Sequence, residues 1–309
     1  MGQRAIAITT SNFNMENQLL DEFRGDGWEI VRSQYGRKLT ESEVSELLSD
    51  GAVVGILAGV EPLTDSVFAA NPQLKVISRC GTGFDSVDLA AAAQRGIACL
   101  NTPQAPAAAV SELTIGMMMA ALRRIPQSDR LIRGGTWKAI MGSLLAKRTV
   151  GVVGLGRVGT RVADLVTAFG ADVLYYDPHV ATVEYDRVNS VKELAARVDL
   201  LTIHTPLAED TRNLVSAEVI EALPQGAIVV NASRGGVMDE DALVAALKSG
   251  KLDAAALDVF ADEPYTGPLK DFDNVVLTAH MGSYAREARQ LMESEALQNL
   301  LNALRKLDA

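Results

Sequence analysis

The stretch VGVVGLGRVGTRVADLVTAFGADVLYYDP, Val150 to Pro178, decides the fold. It reads as an apolar strand, a glycine turn, a helix, a second apolar strand and then an acid. Gly154, Gly156 and Gly159 stand in a G-x-G-x-x-G spacing directly after the first apolar run, and Asp177 follows 18 residues after the last glycine. Gly154 permits the tight turn, Gly156 lets backbone N–H groups reach a pyrophosphate, and Gly159 lets the helix pack closely on the strand. A helix opening near Arg157 aims its positive dipole end and unpaired N–H groups at the phosphates. At the end of the second strand the Asp177 carboxylate can accept both hydroxyls of an adenosine ribose, and its charge repels a 2′-phosphate, so NAD is favoured over NADP. A glycine triplet alone also fits an ordinary α/β turn; the complete strand–helix–strand unit closed by an acid makes it specific.

Outward from this unit the chain keeps alternating. Before it, apolar runs of strand length lie at Ala5–Ile8, Trp28–Val31, Ala52–Leu57, Lys75–Ser78 and Ile97–Leu100. Helical patterns separate them near Met15–Phe23, Glu41–Leu48, Asp65–Ala69 and Asp88–Gln94. Such alternation implies parallel strands covered by helices. Asn101-Thr102-Pro103 breaks the pattern, and a long helix is expected from Ala107 to Arg124, where Pro126 stops it. After the glycine unit, strands are expected near Asp199–Ile203, Ala227–Val230, Ala254–Leu257 and Val275–Thr278, with helices near Ala217–Leu223 and Asp239–Leu247. The last segment, Tyr284–Leu307, is helical and has no strand of its own, so it is expected to return to the first region. The fold class is therefore α/β with two doubly wound parallel-sheet domains. Residues 1–100 and 284–309 form one, flavodoxin-like and substrate-binding, and residues 101–283 form an NAD-binding Rossmann domain.

Composition narrows the function. A chain of 309 residues exceeds the usual size of one core, which agrees with two domains. The net charge is −10, without a lysine or arginine block, so nucleic acid and anionic membrane are not expected partners. No 18-residue apolar run is present to span a membrane, and the N-terminus lacks the apolar stretch of a signal peptide. Gly2 after Met1 is a poor sign of myristoylation in a chain whose first strand starts at Ala5. Cys80 and Cys99 are the only cysteines, with no metal spacing, and read as small reduced residues rather than a disulfide. The expected compartment is the cytoplasm, and no metal is expected. Glu41–Asp50 reads as an acidic helix with a solvated face.

In open parallel sheets ligands sit beyond the carboxyl ends of the strands. After Ala227–Val230 comes Asn231-Ala232-Ser233-Arg234-Gly235-Gly236; after Ala254–Leu257 come Asp258 and then Glu263; after Val275–Thr278 come Ala279 and His280. One arginine, one or two acids and one histidine thus converge on the edge that holds the dinucleotide. Exchange of a hydride with NAD needs that set. Histidine can take or give the hydroxyl proton near neutral pH, a glutamate beside it favours imidazolium, and arginine grips a carboxylate with two hydrogen bonds. His179 reads as a solvated loop residue. His204 ends a strand on the ligand edge, and from residue chemistry alone it stays a rival to His280.

The motifs NASRGG, ALDVFADEP and TAHMGS resemble those of the NAD-dependent D-2-hydroxyacid dehydrogenases, in particular the D-3-phosphoglycerate dehydrogenase branch. GTGFDSVDL, NTPQAPAAAVSELTIGMM, VGLGRVG and HTPL extend the resemblance over nearly the whole chain. It implies Arg234 as the substrate-binding arginine, Glu263 as partner acid and His280 as acid/base. It also implies cofactor contacts from Thr82, Gly154, Gly156, Arg157, Val158, Gly159, Asp177, His204, Thr205, Pro206, Ala232, Ser233, Arg234, Asp258, His280 and Gly282. Substrate contacts are implied for Ala58, Gly59, Val60, Arg79 and Gly81 besides Arg234 and His280. The implied substrate is a small anionic 2-hydroxy or 2-keto acid. The Ala- and Met-rich segment from Ala107 to Leu145 is where the family forms a two-fold contact, so a homodimer is expected. Three departures bear on the substrate. AGVEP stands where the phosphoglycerate enzymes carry an arginine-containing loop, Ser86 replaces an asparagine, and Ala279 replaces a proline. A regulatory domain after the core is not expected, since the sequence stops at Ala309. The alternative is a corepressor-like NAD-binding protein of the same fold without turnover.

Overall fold

The computed structural model describes residues 4–11, 13–49, 52–180 and 184–307; the Met1–Gly2 start, Asp50 at the end of the acidic helix and Ala309 lie outside them. The described chain falls into two units, residues 1–106 with 283–309, and residues 107–282.

The first unit holds β1 (Arg4–Ile8), α1 (Leu19–Gly25), β2 (Trp28–Arg32), α2 (Glu41–Leu48), β3 (Val53–Ala58), α3 (Asp65–Ala70), β4 (Val76–Arg79), α4 (Leu89–Gln94) and β5 (Ala98–Leu100). Its strands are all parallel in the order β2-β1-β3-β4-β5, the flavodoxin-like order. Val44 and Leu48 of α2, Phe68 of α3 and Ala91 of α4 pack on one face of this sheet. Leu20 and Phe23 of α1 pack on the other, with α11 (Arg286–Leu307) supplying Met292, Leu297, Leu300 and Leu304. The C-terminal helix therefore does return to the first sheet. It lies so close that a Cβ on Gly55 of β3 would stand 2.9 Å from a methyl of Leu300. Arg289 and Glu293 of α11 pair at 3.1 Å and hold the chain after β1, through the Ser11 carbonyl and the Asn14 N–H.

The second unit holds α5 (Ala107–Leu122), α6 (Ile125–Arg133), β6 (Thr149–Val153), α7 (Arg157–Ala168), β7 (Asp172–Tyr176), β8 (Asp186–Arg187), α8 (Val191–Ala195), β9 (Leu200–Ile203), α9 (Ala217–Ala222), β10 (Ala227–Asn231), α10 (Glu240–Lys248), β11 (Leu252–Leu257) and β12 (Val275–Leu277). All its strands are parallel, in the order β12-β11-β10-β9-β6-β7-β8. From β6 the chain first builds outward to β7 and β8, then crosses to β9 on the other side. That reversal is the Rossmann arrangement, and it opens the crevice between the ends of β6 and β9. Leu194 of α8, Val219 of α9 and Leu243 of α10 cover one face, while Met117 and Met118 of α5 and Val162 and Val166 of α7 cover the other.

Several boundaries differ from the sequence reading. Pro126 does not end helical structure. Arg124 turns into the left-handed region (φ 55°) and Pro126 lies in the first turn of α6, where its missing N–H costs nothing. α1 begins at Leu19 rather than Met15, because Asn14 and Asn17 side chains take up the local N–H groups of Glu16 and Leu19 as turns. The two-residue strand β8 and the five-residue helix α8 are too short to carry a periodic signal. Among the described residues no helix is long and apolar enough to cross a membrane, and no group of three or more His, Cys, Asp or Glu could hold a metal ion.

Candidate active site

The glycine turn does what its spacing demands. Gly154 has φ +89°, and a Cβ there would stand 2.8 Å from Thr205 Cγ2 and 3.0 Å from the His204 backbone across the crevice. A Cβ on Gly159 would overlap the Gly154 carbonyl oxygen, so only glycine lets α7 start this close to β6. Gly156, by contrast, faces open space: a Cβ added there would meet nothing within 4 Å. It opens α7 without any side-chain cap, so the first N–H groups of a 12-residue helix, from Arg157 and Val158 onward, remain to be satisfied.

Asp177 is buried at the end of β7. Oδ2 accepts the Leu155 N–H at 2.8 Å, and Oδ1 accepts those of His179 and Val180 at 2.8 and 3.2 Å. A carboxylate offers about four acceptor positions, so one is left for a ribose hydroxyl rather than the two expected. His204 and Thr205 supply a further sign of a missing polar ligand. Nδ1 of His204 and Oγ1 of Thr205 are shut off from solvent and lack a hydrogen-bond partner. Burial depresses the His204 pKa to about 3, so the ring is neutral, with Nε2 on the Thr202 hydroxyl at 2.9 Å. That removes His204 as a rival acid/base. An open glycine-capped helix start, a buried acid beside it and two orphaned polar atoms across the crevice fit a dinucleotide.

The three groups expected to do chemistry stand on neighbouring strand ends of the same sheet. His280 follows β12, and its Nδ1 lies 2.8 Å from Glu263 Oε2. Glu263 is steadied by the Phe260 N–H on Oε1 at 3.1 Å. Burial alone would raise the Glu263 carboxyl, but the hydrogen bond and charge of His280, then Phe260 and Arg234, bring it below the ordinary value. Arg234 follows β10, in a turn built by Asn231. Asn231 Oδ1 accepts from the N–H and hydroxyl of Ser233 at 3.0 and 2.8 Å, and its amide donates to the Arg234 carbonyl at 3.0 Å. Gly235 is needed because a Cβ there would overlap the Phe260 carbonyl. The loop of Arg234 and the loop of Glu263 are thus in direct backbone contact.

His280 itself sits at φ +50°, a costly conformation for a side-chain-bearing residue. Asp258, 1% exposed, holds it there. Its Oδ1 accepts from the Thr278 hydroxyl at 2.6 Å and the Met281 N–H at 2.8 Å, its Oδ2 accepts the Gly282 N–H at 2.8 Å, and its carbonyl takes the His280 N–H at 2.8 Å. Three of the about four acceptor positions of the Asp258 carboxylate are taken in shaping the histidine turn, which leaves one, as at Asp177, for the cofactor contact expected of it. Neither this role nor that of Asn231 has a sequence signal beyond an acid or amide at a strand end.

In the first unit, Ala58 and Gly59 are buried and Val60 is exposed at the end of β3. The turn is organised by Glu61, 1% exposed, which accepts the Gly59 N–H at 3.0 Å and the Thr9 hydroxyl. Gly59 therefore does not offer its N–H freely. Arg79 is buried beside Ala58 in register, and Nη1 donates to the Cys80 carbonyl at 2.6 Å. Gly81 (φ +148°) makes room for that guanidinium, and Thr82 is exposed beyond it.

Residues 115–282 match the model of the D-isomer specific 2-hydroxyacid dehydrogenase, NAD binding domain. This chain belongs to that family. It is 38% identical over 285 residues to D-3-phosphoglycerate dehydrogenase of Methanocaldococcus jannaschii, covering 90% of this chain and 54% of that one. It is also 38% identical over 263 residues to glyoxylate reductase of Thermofilum pendens, covering 79% and 77%. Among solved structures, the TT0316 protein of Thermus thermophilus superposes with a TM-score of 0.89 at 34% identity, over 97% of each chain. The chain spans about half the length of the phosphoglycerate dehydrogenases it matches.

Proposed function

We propose that this family member is an NAD-dependent oxidoreductase that interconverts a small D-2-hydroxy acid and its 2-keto acid. The observation that carries the reading is the His280–Glu263 pair at 2.8 Å beside the Arg234 loop, on the sheet edge that also bears the glycine turn. Gly154, Gly156, Arg157, Val158 and Gly159 would hold the pyrophosphate, Asp177 the ribose, and His204, Thr205, Pro206, Ala232, Ser233, Asp258, Gly282 and Thr82 the rest of the dinucleotide. The hydride would come from bound NADH and, in reverse, pass to NAD. Glu263 keeps Nδ1 of His280 occupied, so Nε2 is the nitrogen that gives its proton to the carbonyl oxygen, or takes it from the hydroxyl. Ionised Glu263 stabilises the imidazolium needed for reduction. Arg234 grips the substrate carboxylate and draws electrons from the adjacent carbonyl.

Ala58, Gly59, Val60, Arg79 and Gly81 remain proposed substrate contacts. Their turn holds the buried acid Glu61 where the phosphoglycerate branch carries an arginine-containing loop, and the loss of that phosphate-binding cation favours unphosphorylated acids. The complete Arg–Glu–His set favours turnover over the corepressor-like alternative. Two free thiols, with burial pushing Cys80 up to about 11, suit a reducing compartment, the cytoplasm. The test is NADH and NADPH absorbance against a panel of phosphorylated and unphosphorylated 2-keto acids. Faster reduction of the unphosphorylated members with NADH is expected. Tight NADH binding with no turnover on any member would refute the enzymatic reading.

A further inference from the structure

Glu240, the first residue of α10, is a half-buried acid that the chemistry above does not use. Its Oε1 accepts the Ala261 N–H at 2.6 Å. Burial pushes its carboxyl up and repulsion from Asp262, Asp241 and Glu263 adds to that, against the Ala261 hydrogen bond. An acid favoured only by a helix start would point to water, as the exposed Asp241 next to it does. Glu240 instead reaches back to a specific peptide. That peptide, Phe260–Ala261, is the junction of the site. Its Phe260 carbonyl abuts the Gly235 backbone next to Arg234, while the N–H of the preceding Val259–Phe260 peptide supports Glu263, which in turn holds His280. Stacking of Phe260 on Tyr265, with centroids 4.3 Å apart, anchors the loop's side chains, and the Glu240 carboxylate takes its Ala261 N–H.

We propose that Glu240 is a positioning residue, fixing the Phe260–Ala261 peptide and through it the relative placement of Arg234 and the Glu263–His280 pair. The inference rests on the catalytic reading of those three groups. What matters is the reach and the acceptor oxygen, since an amide oxygen at the same distance would take the same N–H.

The test compares the full chain with Glu240→Gln, Glu240→Asp, Glu240→Ala and, as a control on the same helix turn, Asp241→Asn. Two readouts are used: steady-state kinetics with NADH and the best 2-keto acid, and amide hydrogen exchange at Phe260 and Ala261 by NMR. Glu240→Asp, one methylene too short, and Glu240→Ala are expected to lose about tenfold in kcat, since small misplacements at a reacting centre cost this much or more. NADH affinity should stay within about twofold, because the glycine turn is untouched. The same two variants should lose exchange protection at Ala261. Glu240→Gln and Asp241→Asn should match the wild type in both readouts. Wild-type kcat in Glu240→Asp, or a Glu240→Gln loss as large as that of Glu240→Asp, overturns the proposal. If Glu240→Ala does not fold, the Asp and Gln variants decide. If the wild type turns over no keto acid, the catalytic reading fails, and the exchange data still decide whether Glu240 holds the loop.

Discussion

His204 shows how one residue's surroundings override its type. The sequence places an imidazole at a strand end on the ligand edge, where it competes with His280 for the acid/base role. Burial settles the matter by keeping His204 neutral down to a pKa of about 3, whereas an ordinary histidine titrates at 6.5. The sign of the pH effect follows. Between those values the unfolded chain binds a proton that the folded chain refuses, so stability is fully present above 6.5 and falls as the pH drops. The slope is up to about 1.4 kcal/mol per pH unit. Urea unfolding of wild type and His204→Gln should therefore diverge between roughly pH 6.5 and 4.5, the wild type losing more. Parallel curves would show that His204 is not a buried neutral base. The Arg234, Glu263 and His280 set was legible from strand-end positions and motif. The supports Asp258, Asn231, Glu61 and Glu240 were not, because an acid or amide reveals its task only once its hydrogen-bond partners are fixed in space.

At the scale of elements, the turn between β6 and α7 separates two uses of glycine that a spacing pattern lumps together. Gly159 has no room for a methyl group beside the Gly154 carbonyl, while Gly156 has nothing within 4 Å. Gly159→Ala should push α7 off β6 and cost about 3 kcal/mol, with NADH binding lost. Gly156→Ala should keep the thermal midpoint and lose only NADH affinity, because the new methyl meets the pyrophosphate rather than the protein. Equal stability of the two variants, measured by calorimetry, would contradict this division. Long apolar runs such as β6, β9 and β10 were readable because strands covered on both faces need continuous hydrophobicity. α6, which carries Pro126 in its first turn, is not legible in the sequence because a proline in a first turn and a proline that ends a helix look alike until the preceding residue's φ is known.

For the whole molecule, the apolar residues that stay outside the core point to self-association. Met117 and Met118 are interior, but Ile125, Ile132, Trp137, Met141 and Leu144 are exposed, with Trp137 at 94% and Met141 at 90%. Large exposed apolar groups in one continuous segment mark an interaction surface, and we propose a two-fold contact between copies of this chain. Sedimentation should give a dimer for the wild type and a monomer for Trp137→Ser with Met141→Ser; a wild-type monomer across micromolar concentrations would refute the contact. Hydride and proton transfer can be followed together by isotope tracing. With NADH carrying deuterium at C4 of the nicotinamide and a 2-keto acid substrate, mass spectrometry should find deuterium at C2 of a D-configured 2-hydroxy acid. His280→Ala should bind NADH normally yet form that product at least about a hundredfold more slowly. Deuterium-free or L-configured product, or undiminished labelling by His280→Ala, would rule out hydride transfer to a D-2-hydroxy acid with His280 as its acid/base.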